Sequence, residues 1–192
     1  MRTNGIGVIV IGVSAGGMNT LPIILKYLPA SYSTPIAIVQ HLHPHQSNFH
    51  LDFYSMNCKL KVCDALDKSP IIPGVISFAP ANYHLLIEDK TTYSLSMDDK
   101  VNYSRPSIDI LFQTAAEVFG DSVLAVLLTG ANNDGAKGCK CIQDVGGLVI
   151  VQSPESAEHS YMPQSAINLI NPDYIASPNE IGQFLLSIED KR

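Results

Sequence analysis

Three residue types that together can break an ester follow three apolar runs of this 192-residue chain: Ser14 after "VIVIGV", His41 after "IAIVQ", and Asp134 in "TGANNDGAKG" after "SVLAVLL". A serine hydroxyl attacks a carbonyl poorly unless a neutral imidazole removes its proton. The imidazole in turn needs a carboxylate to fix its tautomer and to stabilise the imidazolium that forms. Residues 12–16, "GVSAG", fit the G-x-S-x-G turn that presents a serine above a sheet, and Gly12, Gly16 and Gly17 allow a sharp turn and close approach of substrate. The N–H groups that open the following helix are free to bind a developing oxyanion.

The same stretches admit other chemistry. Gly12 and Gly17 bracket a G-x-x-x-x-G spacing like that of a dinucleotide fingerprint, but Ser14 stands where the middle glycine belongs. A nicotinamide protein also needs an acidic residue near the end of the second strand, and "VQHLHP" has none. His41, His43 and His45 alternate as metal ligands on one strand face do, although Pro44 interrupts a strand there. Cys139 and Cys141 form a C-x-C pair inside a predicted helix, where they face different ways and read as reduced thiols. No metal or organic cofactor is required by the serine chemistry. His159 competes with His41 as the base, because Ser14, Asp134, His159 is the chain order of α/β-hydrolases.

The elements that must position these residues follow from periodicity. Val8–Val13, Ile36–Val39, Val75–Phe78, Val123–Leu128 and Leu148–Val151 are continuous aliphatic runs, the mark of strands buried on both faces. Between them, Gly17–Leu28 has apolar residues at helical spacing and is closed by Pro29. Pro106–Phe119 has proline in its first turn and Gly120 past its end. Such alternation predicts a doubly wound α/β fold, a mostly parallel sheet with helices on both faces. From Lys59 to Met97 the rhythm shifts to short strands and turns, which predicts an antiparallel β extension. In an open α/β sheet the ligand sits beyond the carboxyl ends of the strands, which is where Ser14, His41 and Asp134 all emerge.

Composition narrows the partners. The chain reads as a single domain over residues 1–192, with 46% hydrophobic and 16% charged residues and a formal charge of −6. Without a Lys/Arg cluster it lacks the basic footprint of a nucleic-acid binder, and its apolar runs are far short of the roughly 20 residues that span a bilayer. A cytoplasmic location without membrane insertion is the expectation. Of three arginines, Arg2 and Arg192 lie at the ends, so Arg105 alone is placed for a specific task, either a substrate contact at the rim or a salt bridge at a helix start.

Six ordered blocks then carry a resemblance: "VIVIGVSAGG", "IVQHLHP", "PGVISFAPANYHLLI", "RPSIDILFQTAA", "LLTGANNDGAKG" and "VQSPESAEHSYMPQSAI". Over nearly its full length the chain resembles the catalytic domain of the chemotaxis protein-glutamate methylesterases. The resemblance implies Ser14, His41 and Asp134 as catalytic residues, choosing His41 over His159. It implies hydrolysis of γ-glutamyl methyl esters on the cytoplasmic helices of methylated chemoreceptors, with deamidation of receptor glutamines as a related activity. Backbone N–H groups at Ala15 and in the Ala131/Asn132 loop are the expected oxyanion donors.

Two departures stand out. The family loop commonly reads T-G-M-G-x-D-G, whereas here Ala131 replaces the methionine and Asn132 the glycine. Asn tolerates positive φ, so the turn is expected to survive. Typical members also carry an N-terminal receiver domain, and only a handful of residues precede the first strand here. The sequence reads either as a stand-alone enzyme, for which a separate phosphorylatable receiver protein is a candidate partner, or as a fragment of a longer protein. A small-molecule serine esterase or amidase, a non-catalytic receptor-binding module with the altered loop as its motive, and a metal-dependent hydrolase built on "HLHPH" are the competing functions.

Overall fold

The computed structural model describes residues 5–41 and 49–189. Chain order is β1 (Val8–Val13), α1 (Gly17–Leu25), β2 (Ile36–Gln40), α2 (Phe49–Asn57), β3 (Lys61–Asp64), β4 (Val75–Phe78), β5 (His84–Asp89), β6 (Thr92–Ser96), α3 (Ile108–Phe119), β7 (Val123–Leu127), α4 (Ala136–Asp144), β8 (Leu148–Gln152), α5 (Tyr161–Leu169), β9 (Tyr174–Ala176) and α6 (Pro178–Glu189). Seven strands form one parallel sheet in the order β3-β4-β2-β1-β7-β8-β9, and β5 pairs with β6 in a separate antiparallel hairpin.

Why the central strands read as unbroken apolar runs is visible in which way their side chains face. Val8 and Val10 of β1 belong to a core shared with Leu111, Phe112 and Ala115 of α3, Cys139 and Ile142 of α4 and Met162 and Ala166 of α5. Ile9, Ile11 and Val13 face the opposite side, toward Leu21, Ile24 and Leu25 of α1 and Ile181, Leu185 and Ile188 of α6. A two-residue period thus feeds two cores, so polar residues have no place on either face of β1. Each fully buried Ile or Leu contributes roughly 1.5–3 kcal/mol by its transfer from water.

The expected antiparallel extension is smaller than the sequence implies. Within residues 59–97, β3 and β4 join the main sheet in parallel, and antiparallel pairing is confined to β5 with β6 and an isolated bridge between Pro70 and Thr92. The hairpin packs Leu85, Ile87 and Tyr93 onto the α3 face of the sheet. Short strands separated by turns carry no signal of direction, because strand polarity is set by the connection and the face available for packing. The first helix is also shorter than expected, ending at Leu25 with Lys26 as its C-cap, so Leu28 lies in a turn that still buries it.

The sheet's order reverses between β1 and β7: the chain first adds strands on one side of β1, then on the other. At such a switch point adjacent connections diverge to opposite faces and leave a crevice at the carboxyl ends of the strands. Glycine brings the neighbouring helix close to that crevice. A Cβ on Gly12 would collide with the Ile108 side chain, and one on Gly135 would come within 2.8 Å of Ile108 Cγ2. The first turn of α3 therefore lies directly on the β1 and β7 ends.

Candidate active site

Ser14 stands one residue beyond β1, and its backbone is held by the loop after β7. Its N–H donates to the Thr129 carbonyl at 3.0 Å, and Thr129 Oγ1 donates to the Ala15 carbonyl at 2.9 Å. Thr129 is itself buried and fixed by its N–H, which donates to Gln152 Oε1 at 2.9 Å. Behind the serine, Gly16 takes φ 85°, which only glycine adopts at little cost, and a Cβ there would lie 2.9 Å from Glu158 Cβ. The turn is thus over-determined from two sides.

His41 stands one residue beyond β2, with its N–H donating to the Val13 carbonyl at 3.0 Å. Its imidazole joins the other two candidates: Nδ1 is 3.2 Å from Ser14 Oγ, and Nε2 is 3.0 Å from Asp134 Oδ2. An ionised carboxylate can only accept, so Nε2 carries the proton. The lone pair is then on Nδ1, where Ser14 Oγ–H donates to it. Relative to the serine-protease template the two ring nitrogens exchange roles, and the logic of the chain is unchanged.

Asp134 is fully buried. Besides His41 Nε2–H, its carboxylate accepts the Ile108 N–H at 2.7 Å on Oδ2. On Oδ1 it accepts the Ser107 hydroxyl at 2.9 Å, the Asp109 N–H at 3.1 Å and the Asn102 amide at 3.1 Å. Two of these donors are backbone groups in the first turn of α3, where unpaired N–H groups and the helix dipole favour negative charge. Burial alone would raise the pKa of this carboxyl. The hydrogen bonds from His41 and from Ile108 N–H, with the attraction of His41, outweigh burial and hold it below the usual aspartate value. At neutral pH the group is an anion fixed in one orientation.

A second carboxylate lies close by. Asp109, 6% exposed, accepts the N–H groups of Gly135 at 2.9 Å and Gly138 at 2.7 Å, and the Asn102 amide at 2.9 Å. Burial chiefly pushes its pKa up, with the backbone bond from Gly138 opposing and the charge of Asp134 adding to the rise. Ser107 is reached from the far side by His84, whose Nδ1 accepts the Ser107 N–H at 3.1 Å. The remaining ring nitrogen of His84 therefore donates to the Asp99 carbonyl, at 3.1 Å.

The other expected residues divide. Asn132 reaches the histidine: its Nδ2 donates to His41 Nδ1 at 3.2 Å, and its Oδ1 accepts the Asp134 N–H at 3.0 Å. Asn132 does not use its tolerance of positive φ, and in residues 129–135 only Gly135 has one, 93°. The N–H groups of Ala15, Ala131 and Asn132 find no acceptor among the described residues. Arg105 is committed elsewhere. Its Nε and Nη2 donate to Asn82 Oδ1 at 3.3 and 3.0 Å, and its Nη1 donates to the Met97 and Asp98 carbonyls at 2.6 and 2.9 Å, binding the segment between β6 and α3. The ring of His159 is 45% exposed beside Glu158 and is not part of the Ser14 chain.

Among the described residues no group of His, Cys, Asp and Glu side chains could hold a metal ion, and His43 and His45 lie outside the described residues. Cys139 is buried and Cys141 half-buried on α4, both as free thiols. No described helix is long and apolar enough to cross a membrane.

A serine, histidine and aspartate joined by hydrogen bonds across the switch point of a parallel α/β sheet have the arrangement of a serine hydrolase site. Within that class, residues 9–185 match the model of the CheB methylesterase family, and the chain belongs to that family. It superposes on the crystal structure of the Thermotoga maritima CheB methylesterase catalytic domain with a TM-score of 0.90 at 32% identity, covering 94% of this chain and 97% of that one. The protein-glutamate methylesterase/protein-glutamine glutaminase of Trichodesmium erythraeum is 35% identical over 182 residues, 93% of this chain and 52% of that protein. A Leptospira interrogans protein that carries the same double name provisionally is 45% identical over 181 residues, 94% of both chains. The chain therefore spans nearly all of one curated relative and about half of the other.

Proposed function

We propose that this chain hydrolyses γ-glutamyl methyl esters on the cytoplasmic helices of chemoreceptors, with Ser14 as nucleophile, His41 as general base and then acid, and Asp134 as the orienting carboxylate. The observation that carries this reading is the continuous hydrogen-bonded chain from Ser14 Oγ through both nitrogens of His41 to Asp134 Oδ2. Ser14 Oγ attacks the ester carbonyl while its proton passes to His41 Nδ1. The N–H groups of Ala15, Ala131 and Asn132, which have no acceptor among the described residues, are the donors we assign to the oxyanion. Collapse of the tetrahedral intermediate expels methanol, which leaves with the proton from Nδ1. Water then attacks the acyl-enzyme by the same route in reverse, releasing glutamate. With a receptor glutamine the leaving group is ammonia and the remaining steps are identical, so one site serves both the methylesterase and the glutaminase activity.

The test is methanol release from methylated receptor fragments. Ser14→Ala is expected to lower it by several orders of magnitude, because among the described residues no other nucleophile lies at the imidazole. An unimpaired Ser14→Ala protein would overturn the mechanism, and turnover of short aryl esters far above that of receptor fragments would instead favour a small-molecule esterase.

A further inference from the structure

His41 Nδ1 offers one lone pair in the plane of its ring, and two donors compete for it. Ser14 Oγ and Asn132 Nδ2 each stand 3.2 Å away. The competition is built into the loop. Asp134 N–H donates to Asn132 Oδ1, which requires oxygen on that side and so turns the NH2 toward the imidazole. Asp134 Oδ2 accepts from Nε2–H, which requires the lone pair on Nδ1. Asn132, His41 and Asp134 thus close a ring of three hydrogen bonds, each of which fixes the donor sense of the next.

During acylation this ring cannot persist. When the Ser14 O–H bond breaks and an N–H bond forms at Nδ1, the lone pair is consumed, and the Asn132 amide would then point one donor at another. We propose that Asn132 attenuates the base: its amide shares the Nδ1 lone pair in the resting state, and Ser14 gains its full reactivity only when that amide withdraws. This inference rests on the Ser14–His41–Asp134 assignment and deepens it. Asn132 acts through His41 and is a positioning residue, one that holds the imidazole in place at the expense of its availability.

The test uses a reagent that needs no receptor. An alkyl fluorophosphonate forms a bond from phosphorus to Ser14 Oγ and expels fluoride, while the serine proton passes to His41 and on to solvent. The labelling rate, read by intact-mass spectrometry on the full chain, reports serine reactivity alone. Asn132→Ala removes both bonds of the side chain. Asn132→Ser keeps an oxygen able to accept the Asp134 N–H, two residues on, and is too short to reach His41. Both variants are expected to label faster than the unaltered chain, by roughly twofold to tenfold, the factor a neutral hydrogen bond represents. A side chain that merely supported the loop would give no acceleration. Should Asn132→Ala fail to fold, Asn132→Ser decides. Equal or slower labelling of Asn132→Ser overturns the proposal while leaving the serine mechanism intact. Failure of the unaltered chain to label at Ser14 sinks the mechanism and the proposal together.

Discussion

Asp134 and Asp109 each cap the helix that the other one opens. Asp134, just before α4, accepts the N–H groups of Ile108 and Asp109 at the start of α3, and Asp109, in the first turn of α3, accepts those of Gly135 and Gly138 at the start of α4. Asn102 donates to both carboxylates and holds the pair together. Two anions side by side would repel, and each is compensated by the positive end of its neighbour's helix. The site's carboxylate is therefore part of how α3 and α4 are joined.

Truncation at either position should unfasten both helices. Asp109→Ala leaves two N–H groups at the start of α4 without a partner, at a cost of about 1–3 kcal/mol for each buried group. Because Asp109 and Asp134 share Asn102 and both helix starts, their truncations should be non-additive by roughly 0.5–3 kcal/mol in a double-mutant cycle read by urea unfolding. Strict additivity would show that the two caps are energetically independent.

Acid should remove the contribution of Asp134. Its pKa is depressed in the folded state, so the stabilisation is fully present above the unfolded aspartate value of about 3.9 and is lost as pH falls through the lower folded value. Asp134→Asn lacks this titration. The urea midpoints of the unaltered chain and Asp134→Asn should be far apart at neutral pH and converge at pH values below about 4. A gap that stays constant with pH would contradict the depressed value.

Gly130 sets the floor under Ser14. A Cβ there would lie 2.6 Å from Met162 Sδ and 2.9 Å from Ser14 Cβ. The methionine is flexible and can give way, whereas Ser14 is held by Thr129 and cannot move without leaving His41. Gly130→Ala should therefore cost on the order of 10²-fold in ester turnover, the penalty of a misplacement near 1 Å, with a stability loss of about 1–3 kcal/mol. Full turnover with reduced stability would place the strain on Met162 alone.

The two histidines should separate cleanly. His41→Gln is expected to abolish ester hydrolysis, and His159→Gln to leave it within a small factor, since His159 contributes backbone bonds to the Thr129–Gly130 turn and these survive a side-chain change. Asp134→Asn should cost on the order of 10⁴ in kcat, as in the serine-protease case, where the wrong tautomer is stabilised. Steady-state methanol release measures all three, and a severe loss in His159→Gln would revise the base.

What the sequence disclosed was whatever is written along a single element. Ser14, His41 and Asp134 were legible because each follows a buried apolar run, and the parallel sheet was legible because those runs are buried on both faces. The supports of Asp134 were not legible, since Asn102, Ser107 and Asp109 lie 25 or more residues away and make their bonds across elements. Ser107 stands at the start of α3 but makes no side-chain bond to it, and Asp109, in the first turn of α3, serves α4. The Asn132 amide was likewise hidden, because its aim depends on the Asp134 N–H two residues on. Strand β9, three residues long and partly exposed, lacks any run long enough to show a period.

Hydroxyl, imidazole and carboxylate follow β1, β2 and β7, three adjacent strands of which β1 and β7 pair residues more than a hundred positions apart. A nascent chain carries the first two early in synthesis and acquires the third only after two-thirds of the polypeptide has been made. With the proposed Ser14–His41–Asp134 mechanism, ester cleavage would be an intrinsic gauge of central-sheet assembly: an incomplete chain should be inert toward esters, and during refolding the return of turnover should mark the moment when β7 docks beside β1.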